Sequence, residues 1–320
     1  MSRGDINPTG NPVVVVVTYN RKALLAHCLD ALRHQTLAPA HIIVIDNAST
    51  DGTRETLAQA GWLDFPGFSY TRLDENTGGA GGFHAGLKLA AREHSGWVWL
   101  MDDDAIPEPT ALEELARVAV DTANIYGSVA LDGNRLSWRM SVRRAGLDAA
   151  REVYEHIRQP AALPDNPEVQ FIPFLGFLIH TELVKHIGLP EQDFFIAADD
   201  VEYCVRARKQ GAKIILATLS HLQHPTADDY SVKLFGQEIL CLKLPPWKRY
   251  YDTRNRLLVA RKHYGVEFYY KTIPGSLVRL FSVLWFEPRR LAQLRAFVAG
   301  FVDGLLGRQG RRHERWCIEK

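Results

Sequence analysis

Residues 12–20, "PVVVVVTYN", restrict the folds open to this chain more than any other stretch. A continuous run of β-branched residues leaves no polar position on either side of an extended strand, so both faces have to be covered. A parallel sheet between two layers of helices meets that condition, and the sequence that follows supplies the helices. "RKALLAHCLDALRHQ" spaces Leu24, Leu25, Cys28, Leu29 and Leu32 as one helical face. "HIIVIDNASTDGT" reads as a second buried strand running into a turn, and "DGTRETLAQAG" as a short helix stopped by Gly61. "FSYTRLDEN" reads as a third strand, "GLKLAAREH" as a helix and "GWVWLMDDDAIP" as a fourth strand. This alternation predicts an α/β fold with helices on both faces and a ligand site beyond the carboxyl ends of the strands.

Polar residues stand at those ends: Thr18 and Asn20, then Asp46 and Asn47, then Asn76, then Asp102 to Asp104. After the third strand comes "ENTGGAGGFHAG", a glycine run that reads as a loop opening a helix, where main chain is bare enough for a ligand to approach. It is not a dinucleotide fingerprint, because His84 stands where the third glycine of G-x-G-x-x-G belongs. The pattern weakens over 127–170 and returns at "FIPFLGFLIHTELVKHIGLP" as strand and helix.

Three consecutive aspartates closing an apolar strand repel one another unless a cation lies among them. Aspartates at alternate positions can share one divalent ion and leave its other sites to phosphate oxygens. The competing reading is that they precede a helix in "DDDAIPEPTALEELA", where the helix dipole welcomes negative charge. A second pair, Asp199 and Asp200, starts the helix of "AADDVEYCVRARKQG". One aspartate there is explained as a cap. The other follows Phe194, Phe195 and Ile196, and a carboxylate beside apolar side chains has its pKa raised toward that of a useful base. His221 and His224 follow another apolar strand, and either is a possible third metal ligand.

With 38 basic against 37 acidic residues, the chain offers no general case for nucleic acid. The four cysteines form no C-x-x-C pair, which suits a reducing cytoplasm. The start reads as a flexible arm over 1–10 without a secretory leader, followed by a catalytic domain over 11–230 and a helical, amphipathic region over 231–320. No segment reaches the ~18 uninterrupted apolar residues of a membrane span. Residues 272–305 mix Trp, Phe and Leu with Arg, which predicts peripheral contact with an anionic membrane.

Taken in order, "VVTYNRKALLAHCLDALRHQ", "VIDNASTDGT", "ENTGGAGGFHAG", "WLMDDDAIP" and "IAADDVEYCVRARKQG", with the histidine beyond, resemble the inverting glycosyltransferases of family 2, which have the GT-A fold. The resemblance covers about 11–226, and "NTGGAGGF" with the triple aspartate is most similar to bacterial galactofuranosyltransferases, with rhamnosyltransferases as neighbours. It implies a UDP-sugar donor and Mn²⁺ or Mg²⁺ held by Asp102, Asp104 and His224. It implies further that Thr18, Asn20 and Arg21 border the nucleotide, that Asp46 contacts the base, and that Asn76, Gly81, Gly82 and Asp103 lie along the donor. Asp200 would be the general base, with Asp199 as the other member of its pair. Gly176, Arg254 and Asn255 would meet a lipid-linked glycan acceptor at the inner face of the cytoplasmic membrane. His84 replaces an asparagine that many relatives carry, which leaves its own role open.

Two other readings remain. A nucleotidyltransferase has a similar sheet, but it wants a glycine-rich basic loop right after the first strand, and "VVTYNRK" lacks one. A binder without activity would have no need of Asp102, Asp104, Asp200 and His224 together.

Overall fold

The structure is a computed structural model that describes residues 10–144, 153–226, 228–234 and 237–318; the expected arm lies, but for Gly10, outside them. The chain divides into two compact units. The first takes in the chain up to 78, 82–190 and 203–226, and the second 79–81, 191–202 and the chain after 226.

The first unit is built on a central sheet. Strands β1 (Val13–Thr18), β2 (His41–Asp46), β3 (Phe68–Arg72) and β4 (Trp97–Asp102) are followed by the two-residue β5 (Ile106–Pro107) and by β6 (Ile125–Asp132). After β7 (Arg135–Leu136), β8 (Met140–Arg143) and β9 (Tyr154–Ile157) come β10 (Phe177–His180) and β11 (Ile214–Gln223). The order in space is β3-β2-β1-β4-β10-β6-β11-β5, with β7 on β6 and with β8 and β9 paired apart. From β3 to β4 every pairing is parallel; β10 then runs antiparallel to both β4 and β6, and β11 is parallel to β6.

Alternation along β1 explains its sequence. Val13, Val15 and Val17 join one core with Phe83 and Leu87 of α3 (Gly78–Glu93) and with α5 (Thr181–Ile187) and α6 (Asp199–Lys209). Val14 and Val16 join the opposite core with Leu25, Cys28, Leu29 and Leu32 of α1 (Lys22–Arg33), with Leu57 of α2 (Thr53–Gln59) and with α4 (Ala111–Val118). Both faces are therefore closed, as five valines require. Leu24 departs from the expected helical face and is 40 % exposed.

The glycine run is helix, where a loop was expected. α3 begins at Gly78, and its bare positions lie where it crosses β1: a Cβ on Gly82 would stand 2.4 Å from Val17 Cγ1, and one on Gly86 2.3 Å from Val15 Cγ1. Close approach to the sheet overrides the weak helix propensity of glycine.

The second unit holds the hairpin β12 (Asp229–Leu234) and β13 (Gln237–Leu242) and the helices α7 (Pro246–His263), α8 (Ile273–Phe286) and α9 (Arg290–Leu305). Tyr250 and Tyr251 of α7 pack on Ala296 and Ala299 of α9. Gly300 and Gly304 let the two helices approach, since a Cβ on Gly300 would meet Tyr250 O at 2.4 Å. Among the described residues no helix is long and apolar enough to cross a membrane.

Candidate active site

In the first unit the strand order reverses at β1. The chain passes from β1 outward to β2 and β3 and returns to β4 on the other side of β1. A doubly wound sheet binds ligands in the crevice at such a reversal, beyond the carboxyl ends of the strands. The ends concerned are Thr18 of β1 and Asp102 of β4.

Asp103, 2 % exposed, accepts a hydrogen bond from Thr18 Oγ1 at 2.6 Å. Arg21 Nη1 bridges Asp103 Oδ1 at 3.2 Å and Asp104 Oδ2 at 2.8 Å. Burial nevertheless keeps the Asp103 carboxyl above the usual range, against the pull of Thr18 and Arg21. The other oxygen of Asp104 has a different fate: Asp104 Oδ1 is buried with no hydrogen-bond partner, and His224 Nε2 lies 3.5 Å from it. His224 is held by its backbone, whose N–H donates to Leu131 O at 2.8 Å and whose carbonyl accepts from Ser137 Oγ at 2.6 Å. Its Nδ1 is also buried without a partner.

A buried carboxylate oxygen and an imidazole brought together without donors to satisfy them suit a divalent cation completed by phosphate oxygens. Among the described residues no three His, Cys, Asp or Glu side chains gather as a metal-holding group, so of the three expected ligands the structure pairs Asp104 with His224 and leaves Asp102, half-buried at the end of β4, outside the pair. His221 is placed elsewhere: its Nε2 bonds Thr218 O at 2.9 Å and its Nδ1 lies 3.4 Å from Glu108. The triple aspartate is not a helix cap. α4 starts only at Ala111, after β5, with Thr110 at its N-cap and Glu113 and Glu114 in its first turn.

The second strand end is also ordered. Asp46, 1 % exposed, accepts from Tyr70 Oη and from Ser49 N, the latter at 2.8 Å. Asn20, at φ 52°, accepts from Thr50 N at 2.7 Å, and its own N–H donates to Ser49 Oγ at 2.8 Å. Asn76 Oδ1 accepts from Gly78 N at 2.8 Å and so starts α3. Gly81 and Gly82 are buried within the first turns of α3. Tyr70 and Ser49 went unnoticed in the sequence, because only pairing of β3 with β2 brings that phenol to Asp46. His84 Nδ1 donates to Pro190 O at 2.8 Å. Gly176, at φ 77°, has no room for a Cβ, which would stand 2.7 Å from Ser128 Cβ and from Leu222 Cδ2.

In the second unit, Asp199 and Asp200 open α6. Asp200 Oδ1 accepts from Val201 N at 2.7 Å. Burial raises the pKa of both, and for Asp199 the charge of Asp200 adds to it. Burial thus outweighs the helix dipole, which alone would lower them. The pair is preceded by an unusual backbone: Phe195, Ala197 and Ala198 have φ of 65°, 71° and 63°. Conformations of this kind in residues with a side chain cost on the order of 1–3 kcal/mol each and collect at functional sites. Arg254 and Asn255 depart from the expectation that they face an acceptor. Both are 0 % exposed, and their polar atoms are spent on that loop, on Asp193 O and Gly310 O and on each other.

Residues 13–188 match the family model described as Glycosyl transferase family 2. The chain is 28 % identical over 311 residues to the galactofuranosyltransferase GlfT1 of Mycolicibacterium smegmatis, covering 93 % of this chain and 95 % of that protein. It is 22 % identical over 305 residues to the dTDP-rhamnosyl transferase RfbF of Shigella flexneri, covering 94 % and 97 %. Among solved structures, GalNAc-T7 with UDP, GalNAc and Mn²⁺ shares the fold at a TM-score of 0.61 and 13 % identity, with 98 % of this chain matched to 59 % of that one. The sheet is thus the GT-A sheet. The chain belongs to glycosyl transferase family 2 and is a glycosyltransferase.

Proposed function

We propose that the protein transfers galactofuranose from UDP-galactofuranose to a lipid-linked glycan acceptor, with inversion at the anomeric carbon, in the synthesis of a cell-envelope polysaccharide. The observation that carries the reading is the buried, unpartnered Asp104 Oδ1 with His224 beside it at the reversal of the sheet. Near-full-length similarity to a protein named galactofuranosyltransferase favours the sugar. The rhamnosyl relative supports a second reading, in which the donor is dTDP-rhamnose.

Asp104 and His224, with Asp102, would hold Mn²⁺ or Mg²⁺, which when bound neutralises charge on the departing diphosphate. Thr18, Asn20, Arg21 and Asp46 border the nucleotide, and their bonds to Asp103 (Thr18 and Arg21) and to Ser49 (Asn20 and Asp46) set the rim before the donor arrives. Asp200 takes the proton of the acceptor hydroxyl, since burial makes its carboxylate a better base than an ordinary aspartate at neutral pH. As that oxygen bonds to the anomeric carbon, the bond from this carbon to the diphosphate oxygen breaks and UDP leaves from the opposite face. Asp199 is pushed up further, to about 8, by burial and the charge of Asp200, so Asp200 is the member of the pair that ionises first and serves as the base.

The acceptor's lipid is matched by an apolar stripe on the second unit, with Phe281 71 %, Trp285 77 % and Leu291 83 % exposed. Arg289 lies between α8 and α9, and Arg290 opens α9. This supports peripheral attachment to the inner face of the cytoplasmic membrane.

Hydrolysis of UDP-galactofuranose, UDP-galactose, UDP-glucose and dTDP-rhamnose by wild type and Asp200→Ala, with Mn²⁺, Mg²⁺ or EDTA, tests the proposal. Turnover of UDP-galactofuranose that EDTA and Asp200→Ala both abolish is expected. Selective turnover of dTDP-rhamnose would replace the donor, and turnover indifferent to EDTA would remove the metal.

A further inference from the structure

The loop 194–198, which leads straight into the Asp199–Asp200 pair, has few backbone bonds of its own. Its carbonyls need partners from elsewhere, because a segment with three left-handed residues forms neither a helix nor a ladder. Adjacent residues of α7 supply most of them. Asn255 Nδ2 lies 3.0 Å from Phe194 O, 2.9 Å from Ile196 O and 2.8 Å from Ala197 O, so two N–H groups are shared among three carbonyls. Arg254 Nη2 donates to Phe194 O at 2.8 Å and Asp193 O at 3.3 Å, and its Nη1 donates to Gly310 O at 2.5 Å. Arg254 Nε donates to Asn255 Oδ1 at 2.8 Å, which orients the amide toward the loop. The guanidinium also lies 4.8 Å from the Tyr251 ring, and that ring stacks on Phe195 at 4.9 Å.

These partners are specific in a way that packing does not require. None of the four acceptors of Arg254 is a carboxylate, and a guanidinium buried among neutral acceptors costs more than an apolar side chain of the same volume. What it provides is a rigid fork of donors aimed at consecutive carbonyls.

We propose that Arg254 and Asn255 are positioning residues for sugar transfer: they hold the 194–198 loop in its left-handed conformation and thereby fix the buried Asp199 and the half-buried Asp200 at the start of α6. The inference rests on the reading of Asp200 as the general base. Released from the clamp, the loop relaxes to ordinary backbone angles and the carboxylates regain water.

The test compares wild type, Asn255→Ala, Arg254→Lys and Asp200→Ala for donor hydrolysis or transfer, and for amide hydrogen exchange over 195–201. Asn255→Ala is expected to lower kcat roughly 10- to 100-fold while the donor KM stays within about twofold. The acid limb of its kcat profile moves to lower pH, because solvated carboxylates titrate nearer their ordinary value. Exchange over 195–201 quickens more than over the central sheet. Arg254→Lys, which keeps the charge but loses the fork, is expected to fall between. Wild-type kcat, pH profile and exchange in a folded Asn255→Ala would overturn the proposal. Loss of folded protein in both clamp variants would assign the pair to stability alone and overturn it as well. An active Asp200→Ala would fail the base reading instead, and the exchange data would then still report whether the clamp holds the loop.

Discussion

Asp199 and Asp200 bear the energetic conflict of this protein. Burial raises both pKa values, so both carboxyls bind protons more tightly in the folded chain than in the unfolded one. The stability contributed by such groups is fully present below their unfolded pKa of about 4 and is lost as pH rises through the folded values. At neutral pH, where carboxyls of the unfolded chain ionise freely and these two resist it, the pair opposes folding. Asp199→Asn, which cannot ionise, is therefore expected to be more stable than wild type at pH 8 by on the order of 1–3 kcal/mol in urea unfolding, with the gap closing near pH 4. A gap that is equal at both pH values would contradict the account. The pair itself was legible, since a helix cap explains one of two adjacent carboxylates after Phe194, Phe195 and Ile196 but not the other. Its supports were not. Arg254 and Asn255 read as acceptor contacts, and only the folded chain shows their side chains turned to a loop some sixty residues earlier.

At the scale of elements, α3 shows what a local reading can and cannot carry. The glycines of "NTGGAGGFHAG" signal close approach correctly, but at Gly82 and Gly86 the approaching group is β1. A run so poor in helix propensity reads as loop unless the partner strand is known, and Val15 and Val17 lie far back in the sequence. Gly86→Ala would put a Cβ 2.3 Å from Val15 Cγ1 and 3.1 Å from Ile45 Cγ1. It is expected to destabilise the chain by about 1–3 kcal/mol in urea unfolding through overpacking; an unchanged midpoint would show that α3 shifts freely on the sheet. The triple aspartate carried two readings, ion site or helix cap, and the short β5 between Asp104 and α4 removes the second. The strands of the first half were legible because their cores alternate so strictly. The reversal at β10 was not, since "FLIH" has the same apolar pattern in either direction.

Over the whole molecule, a net charge of +1 gives no long-range field toward a polyanion. Exposed apolar side chains recur along α8 at Leu277, Phe281 and Trp285 and along α9 at Leu291, Val298 and Leu305. The spacing repeats every four residues on one helix and every seven on the other, so each presents a stripe. Flotation with anionic vesicles is expected to carry wild type upward, with Phe281→Ser/Trp285→Ser left at the bottom; wild type remaining with the soluble fraction would count against membrane attachment. The strand ends at Asp104 and His224 and the carboxylates at Asp200 together make the central claim one about chemistry. It is tested most directly by NMR of the product formed from UDP-galactofuranose and a synthetic lipid-linked glycan with Mn²⁺ present. The account predicts a galactofuranosyl product of inverted anomeric configuration, made by wild type and not by Asp200→Ala. A product of retained configuration, or one formed equally well by Asp200→Ala, would contradict it.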